Sequence, residues 1–202
     1  LVTDEGLSKD RPLSFIVEEA IRAGVGIIQY REKSFSYKKH FTQAKSLCSI
    51  CKKAKIPFII NDRVDLALAL DADGVHLGQS DMPIQVARNL LGKDKMIGLS
   101  IESWKDWDTI STLPDIDKLI QYLGISPIFS TPTKQDTIGE WGIEGVVKLR
   151  EKTDLPLVGI GGINESNIDA IIEAGIDSIA VVSAICSAES PYKSAKSLVS
   201  RF

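Results

Sequence analysis

The strongest constraint on this chain is an alternation repeated along its length: a short run of apolar, β-prone residues, then a longer amphipathic stretch. The runs are Leu1-Val2-Thr3, Val25 to Tyr30, Pro57 to Asn61, Gly74 to Leu77, Met96 to Ser100, Tyr122 to Ile125, Leu157 to Ile160 and Ile179 to Ser183. Amphipathic stretches that predict helices lie around 12–23, 35–54, 63–70, 83–91, 102–111, 142–152, 165–174 and 191–201. The strand runs are nearly continuous in apolar residues, the pattern of parallel strands buried on both faces. Spread over 202 residues, eight units take about 25 residues each, enough for strand, loop, helix and return.

Eight such units predict an α/β fold, a (β/α)8 TIM barrel, with residues 1–202 forming a single catalytic domain. A doubly wound open sheet is the competing architecture, but Thr3-Asp4-Glu5-Gly6-Leu7 has no G-x-G-x-x-G turn after the first strand. Helix boundaries are marked as well. Pro12 and Pro83 suit first-turn positions, Asn164 suits an N-cap, and Gly24 and Gly175 read as C-terminal stops.

Composition narrows the function. With 24 basic against 27 acidic residues the net charge is −3, which leaves no basic excess for a nucleic-acid backbone. No apolar run approaches the roughly 18 residues of a membrane span, and no leader pattern opens the chain. Leu1 already lies in strand-like sequence, which points to a chain start further upstream. Cys48 and Cys51 form a C-x-x-C pair, but their i, i+3 spacing puts them on one helical stripe with Leu47 and Ala54. Buried reduced thiols are the expectation, consistent with a cytoplasmic protein. A homo-oligomer is compatible with all of this.

In a barrel the chemistry sits at the carboxyl ends of the strands. The second strand exits into Gln29-Tyr30-Arg31-Glu32-Lys33 and the third into Asn61-Asp62-Arg63. The fourth runs through His76 to Asp81, the fifth ends at Ser100, and the sixth leads to Phe129-Ser130-Thr131-Pro132-Thr133-Lys134. The seventh ends in Gly161-Gly162 and the eighth in Val182-Ser183. Asp62 and Asp81, on adjacent exits, suit one Mg²⁺ that shares its remaining positions with water and phosphate. The plainer reading makes them loop caps or ion-pair partners of Arg63 and Arg31. Arg31, Lys33 and Lys134 are cations from separate loops, the complement of a pyrophosphate; each alone reads equally as solvated rim. Gly161-Gly162 with Val182-Ser183 matches the backbone phosphate cup of such barrels. Two phosphorylated ligands in one mouth predict a coupling reaction with pyrophosphate as leaving group.

Eight motifs in order carry a resemblance. They are Leu-Val-Thr-Asp, Gln-Tyr-Arg-Glu-Lys, Ile-Ile-Asn-Asp-Arg-Val-Asp-Leu-Ala, Ala-Asp-Gly-Val-His-Leu-Gly-Gln-Ser-Asp-Met, Ile-Gly-Leu-Ser, Pro-Ile-Phe-Ser-Thr-Pro-Thr-Lys, Ile-Gly-Gly-Ile-Asn and Ala-Val-Val-Ser-Ala-Ile. From Leu1 to about Ile185 the chain resembles the thiamine-phosphate synthase family. The resemblance implies that hydroxymethylpyrimidine diphosphate is joined to thiazole phosphate, with release of pyrophosphate. It implies that Gln29, Tyr30, Arg31, Glu32, Lys33, Asn61 and Lys134 hold the diphosphate ligand and that Ser100 touches the reacting groups. It assigns Mg²⁺ to Asp62 and Asp81, and thiazole phosphate to Thr131, Pro132, Thr133, the Gly161-Gly162 pair, Val182 and Ser183. Arg31, Lys33, Ser100 and Lys134 are the catalytic set, in a dissociative mechanism where a pyrimidine-methyl cation is captured by the thiazole nitrogen.

The chain departs from the family pattern at three places. Ser126 stands where glycine is usual before Pro127, Ser130 where proline is common, and Ile101 where a small polar residue often follows the serine. Trp141 reads as a hydrophobic anchor for the following helix or as part of a closing loop, and His76 as a hydrogen-bonded core histidine. The rival functions are a thiazole tautomerase-like isomerase and a catalytically silent ligand-binding paralogue. Asn61, Asp62, Asp81 and Lys134 favour the synthase.

Overall fold

A computed structural model describes residues 1–33, 36–130 and 139–202. The strands are β1 (Ile28–Tyr30), β2 (Phe58–Asn61), β3 (Gly74–Leu77), β4 (Met96–Ile101), β5 (Tyr122–Ile125), β6 (Leu157–Ile160) and β7 (Ser178–Ala180). Helices follow at each position the periodicity predicts, among them Leu13–Arg22, Tyr37–Ala54, Val64–Leu70, Ile84–Leu91, Gly142–Arg150 and Pro191–Val199. Two four-residue helices, Ile116–Leu119 and Ser183–Cys186, were too short to show a period.

The chain packs as two compact units, one of residues 1–76, 91–96 and 181–202, the other of residues 77–90 and 97–180. In the first, β1 pairs in parallel with β2 and β2 with β3, so that Tyr30 lies beside Ile60 and Asn61 beside His76. In the second, β4, β5, β6 and β7 pair in parallel in chain order, with Ser100 beside Gly124 and Ile160 beside Ala180. Phe58, Ile59 and Ile60 of β2 are all buried, as the unbroken apolar run requires. The first predicted strand reduces to a single bridge. Val2 pairs with Gln29, and its N–H donates to Val181 O at 3.0 Å. The predicted last strand ends early, at Ala180, because Ser183 already opens a helical turn.

Side chains tie the strand starts. Asp73, just ahead of β3, accepts the Phe58 N–H at 2.8 Å and returns its own N–H to Phe58 O at 2.9 Å. Gln121 treats Ile97 in the same way, at 2.8 Å in each direction. Asp177 accepts from Leu157 N–H at 2.7 Å and donates back at 3.0 Å.

Helix ends follow local chemistry. Gly24 and Gly175 have φ of +102° and +100°, and each stops a helix as predicted. Asn164 does not cap its helix. Its side-chain oxygen accepts from Ser166 N–H at 2.9 Å, forming a turn, and the helix Ile168–Glu173 starts after Asn167 instead. Cys48 and Cys51 share the buried stripe of Tyr37–Ala54 with Ala44 and Leu47. Burial pushes the Cys51 thiol up to about 12 and raises those of Cys48 and Cys186. These are packing residues, inert at neutral pH.

Gly98 in β4 stands opposite Tyr122 of β5, and a methyl group there would overlap the Tyr122 ring. Gly98→Ala should therefore destabilise the fold by about 1–3 kcal/mol through overpacking. Urea unfolding measures this, and an unchanged midpoint would show that the tyrosine has room to move aside.

Candidate functional site

The exit of β1 is built against the first residues of the chain. Thr3 is fully buried, donates its N–H to Gln29 O at 2.9 Å, and accepts the Arg31 N–H on its Oγ1 at 3.1 Å. Beside it, Asp4 Oδ2 takes a hydrogen bond from Arg31 Nη1 at 3.1 Å. Tyr30 points into the core: its hydroxyl donates to Gln43 Oε1 at 2.9 Å and its ring stands edge-on to His40. Desolvation raises the Tyr30 phenol above its ordinary range. Gln29 is half-buried, Glu32 accepts the Lys33 N–H at 2.8 Å, and Lys33 is exposed.

After β2, Asp62 adopts a left-handed backbone, φ +63°, and its N–H still reaches His76 O at 2.8 Å. Aspartate tolerates that conformation better than most residues, and a turn there aims the next side chains away from the strand. Arg63 N–H donates to Asn61 O at 2.7 Å, while its guanidinium forks onto Asp65 at 2.8 and 2.6 Å. Asp81 folds back after β3, accepting Gly78 N–H on Oδ2 at 2.6 Å. Among the described residues Arg63 pairs with Asp65 and Arg31 with Asp4. His76 is half-buried in β3.

The Ser100 carbonyl, at the end of β4, accepts from Gln79 Nε2 at 2.7 Å. Thr131, Pro132, Thr133 and Lys134 lie outside the described residues. The chain flanking them is pinned. Ile128 N–H reaches Ile160 O at 2.9 Å, and Trp141 N–H reaches Pro127 O at 3.0 Å. The Trp141 ring is buried and packs on Trp104 with centroids 5.0 Å apart, as the anchor reading expects. Ser126 is buried, with its N–H on Ile101 O at 3.2 Å.

Gly161 and Gly162 have φ of +99° and +67°. A Cβ on Gly161 would lie 2.7 Å from Pro127 Cβ; one on Gly162 would lie 2.7 Å from Phe129 Cβ and 2.9 Å from two carbonyl oxygens. Asn167 Nδ2 donates to Gly162 O at 2.9 Å, which turns the Ile163 N–H the opposite way across the planar peptide. The glycines thus serve two ends at once, a left-handed turn and close approach of the 127–130 backbone. Val182 is half-buried and Ser183 exposed at the head of the helix Ser183–Cys186. Arg11 braces the other end of that helix, donating to Cys186 O and Ala188 O at 2.7 Å each.

Sequence reasoning passed over Thr3, Asp4, Arg11 and Asn167. Asp4 had a usable signal, since it follows the first apolar run as Asp62 follows the third. Arg11 and Asn167 had none, because their partners lie 175 residues away or on a backbone carbonyl.

The family model for thiamine monophosphate synthase matches residues 1–185. The thiamine-phosphate synthase of Vibrio parahaemolyticus is 47% identical over 99% of this chain and 95% of its own length. That of Leptospira biflexa is 48% identical over the whole chain and 96% of its own. Among solved structures, thiamine phosphate pyrophosphorylase from Pyrococcus furiosus is 35% identical, covering 99% of this chain and 92% of that one with a TM-score of 0.85. This likeness shows the α/β fold class expected from the sequence, a TIM-like fold, with seven strands among the described residues and the first predicted strand reduced to the Val2 bridge. A 3-hexulose-6-phosphate synthase, 16% identical over 100% of this chain and 96% of its own with a TM-score of 0.69, shares the fold alone.

The Gly162 geometry makes a definite demand. Gly162→Val meets both strain at positive φ and a backbone clash, which together should cost about 2–4 kcal/mol of stability. Thermal and urea unfolding check this, and a loss well under that range would mean that the 129–130 segment yields easily.

Proposed function

The chain belongs to the thiamine monophosphate synthase family, and on that premise we propose that it joins hydroxymethylpyrimidine diphosphate to thiazole phosphate, forming thiamine monophosphate and pyrophosphate. As a thiamine-phosphate synthase it is a transferase. The observation that most supports these substrates is the 47% identity to a thiamine-phosphate synthase over 99% of this chain, in a sequence whose strands are followed by polar and charged residues. Gln29, Arg31, Lys33, Asn61 and Lys134 are the diphosphate ligand's residues in this reading. Tyr30 and Glu32 complete that segment, one by packing beneath it and the other by holding the Lys33 N–H. Thr131, Pro132, Thr133, Gly161, Gly162, Val182 and Ser183 are those of the thiazole phosphate.

The reaction breaks the bond from the pyrimidine methylene to the diphosphate oxygen, and the electron pair leaves with pyrophosphate. The thiazole nitrogen lone pair then forms the new C–N bond to the cationic methylene. No side chain has to supply a nucleophile or remove a proton from one. The chain's task is to neutralise a leaving group whose charge grows as the bond breaks, and to hold the thiazole nitrogen close. Arg31 offers a planar fork for a resting diphosphate, whereas Lys33 and Lys134 are compact charges that can follow a departing one. Ser100 is the residue of this reading that would contact the reacting groups.

Asp62 and Asp81 suit Mg²⁺ by their donor type. Mg²⁺ takes one or two carboxylates and completes its shell with water and phosphate oxygens. Among the described residues Asp81 engages Gly78 N–H through Oδ2, and Asp62 holds a left-handed turn at its strand exit. When bound, the ion would supply charge neutralisation on the diphosphate. We place the enzyme in the cytoplasm, where three buried free thiols persist reduced, and take residues 1–202 as one catalytic domain. No described helix is long and apolar enough to cross a membrane.

Incubation with both substrates and Mg²⁺ should yield thiamine monophosphate and stoichiometric pyrophosphate. Isomerised thiazole without pyrophosphate would point to the tautomerase reaction instead. Asp81→Asn should lower turnover about 100-fold or more while thiazole phosphate binds almost normally, since the metal serves the other ligand. Equal loss of both would contradict the metal assignment.

A further inference from the structure

The ion pair at the exit of β1 bears on how the diphosphate is held. Resting on the proposed role of Arg31, we infer that Asp4 is a positioning residue that fixes the Arg31 guanidinium for its anionic ligand. Both carboxylate oxygens of Asp4 are engaged. Oδ1 accepts the Leu7 N–H at 3.1 Å, and Oδ2 accepts from Arg31 Nη1 at 3.1 Å. The Arg31 backbone is held from the same segment, through its N–H on Thr3 Oγ1 at 3.1 Å. One short stretch, Thr3-Asp4, thus fixes both the start and the tip of a long side chain that would otherwise sample many rotamers. The side chains of Asp4 and Arg31 are each 24% exposed, so the pair is neither sealed off nor freely solvated.

Among the described residues, Nη1 is the guanidinium nitrogen with a protein acceptor. The edge formed by Nε and Nη2 stays available for a two-pronged contact with phosphate oxygens. Because its Oδ1 is held by Leu7 N–H, the carboxylate cannot follow the guanidinium around, so it selects one orientation before any ligand arrives. Two effects oppose each other here. The negative charge of Asp4 repels an incoming diphosphate, while the orientation it imposes spares the ordering cost of the arginine. Screening weakens the first effect at a partly exposed site, and the second survives.

The sign of one substitution separates these effects. Asp4→Asn can keep its oxygen on Leu7 N–H but replaces Oδ2 by a donor that cannot accept from Arg31. Calorimetric titration with inorganic pyrophosphate, and with hydroxymethylpyrimidine diphosphate, should show roughly tenfold weaker binding in Asp4→Asn. Thiazole phosphate affinity and the unfolding midpoint should barely change. In an Arg31→Ala background the Asp4→Asn effect should vanish to within about twofold, because the residue being positioned is gone. Asp4→Glu, which keeps the acceptor one methylene further out, should recover part of the loss. Tighter pyrophosphate binding by Asp4→Asn, or an equal loss with and without Arg31, would overturn the inference. Unchanged pyrophosphate affinity in Arg31→Ala alone would instead refute the role given to Arg31, and this inference with it.

Discussion

A parallel strand begins with an N–H that the ladder beside it does not yet satisfy, and in this chain a side chain takes it up three times. Asp73, Gln121 and Asp177 each sit just before a strand and accept the N–H near the start of the preceding one. Each also returns its own N–H to that same strand start. The double contact sets register, because a slip by one residue would break both bonds and exchange the side chains packed on the two buried faces. Once the starts are aligned, strands of three to six residues must end at similar levels. Polar residues that follow each strand therefore come out on the same end within each unit. Asn61-Asp62 and Ser100 owe their placement to ties made at the opposite end of their strands.

Much of this was legible beforehand, and the reason differs by element. The runs Gly74–Leu77, Tyr122–Ile125 and Leu157–Ile160 coincide with β3, β5 and β6, since an unbroken apolar stretch between polar loops has little other use. Leu1-Val2-Thr3 has the same composition but forms only a bridge at Val2. Composition cannot say how many ladder bonds a run will make, because those depend on its neighbours. Ile179 to Ser183 fails at its far end for a related reason. The Val182 carbonyl accepts the N–H of Cys186 at 2.9 Å, a helical bond that competes with continued strand pairing. Asn164 was misplaced because Asn can cap a helix or close a turn, and here Ser166 offers the nearer donor.

The candidate site was legible through residue type more than through partners. Gly161-Gly162 announced close backbone approach, and the atoms that approach are those of Pro127, Phe129 and Ser130. A glycine pair can thus be required by the fold before any ligand is considered. The cations of the site show the complementary limit. Arg31 and Arg63 look alike in sequence, each one or two residues beyond a strand. Arg63 spends its fork on Asp65, two residues on, and stacks its guanidinium over Tyr37. Arg31 meets a carboxylate 27 residues away through a single nitrogen. Sequence distance hid which arginine keeps an edge to offer.

That difference also bears on how an anion site stays intact without its anion. A cluster of unpaired cations repels itself and would swing into solvent, at an entropic cost when the ligand returns. A carboxylate close to each cation removes the repulsion but competes with the ligand. At the exit of β1 these demands are reconciled by geometry: the carboxylate takes one nitrogen of a five-donor group and is itself held by Leu7 N–H. Lysine is less suited to this, since its three donors share one atom and give no planar edge that keeps a fixed orientation while another donor is paired. In the proposed reaction an arginine at position 31 and a lysine at position 33 would divide the work. The first is held in place by Thr3 and Asp4, and the second, an exposed side chain, would reach the part of the ligand that moves.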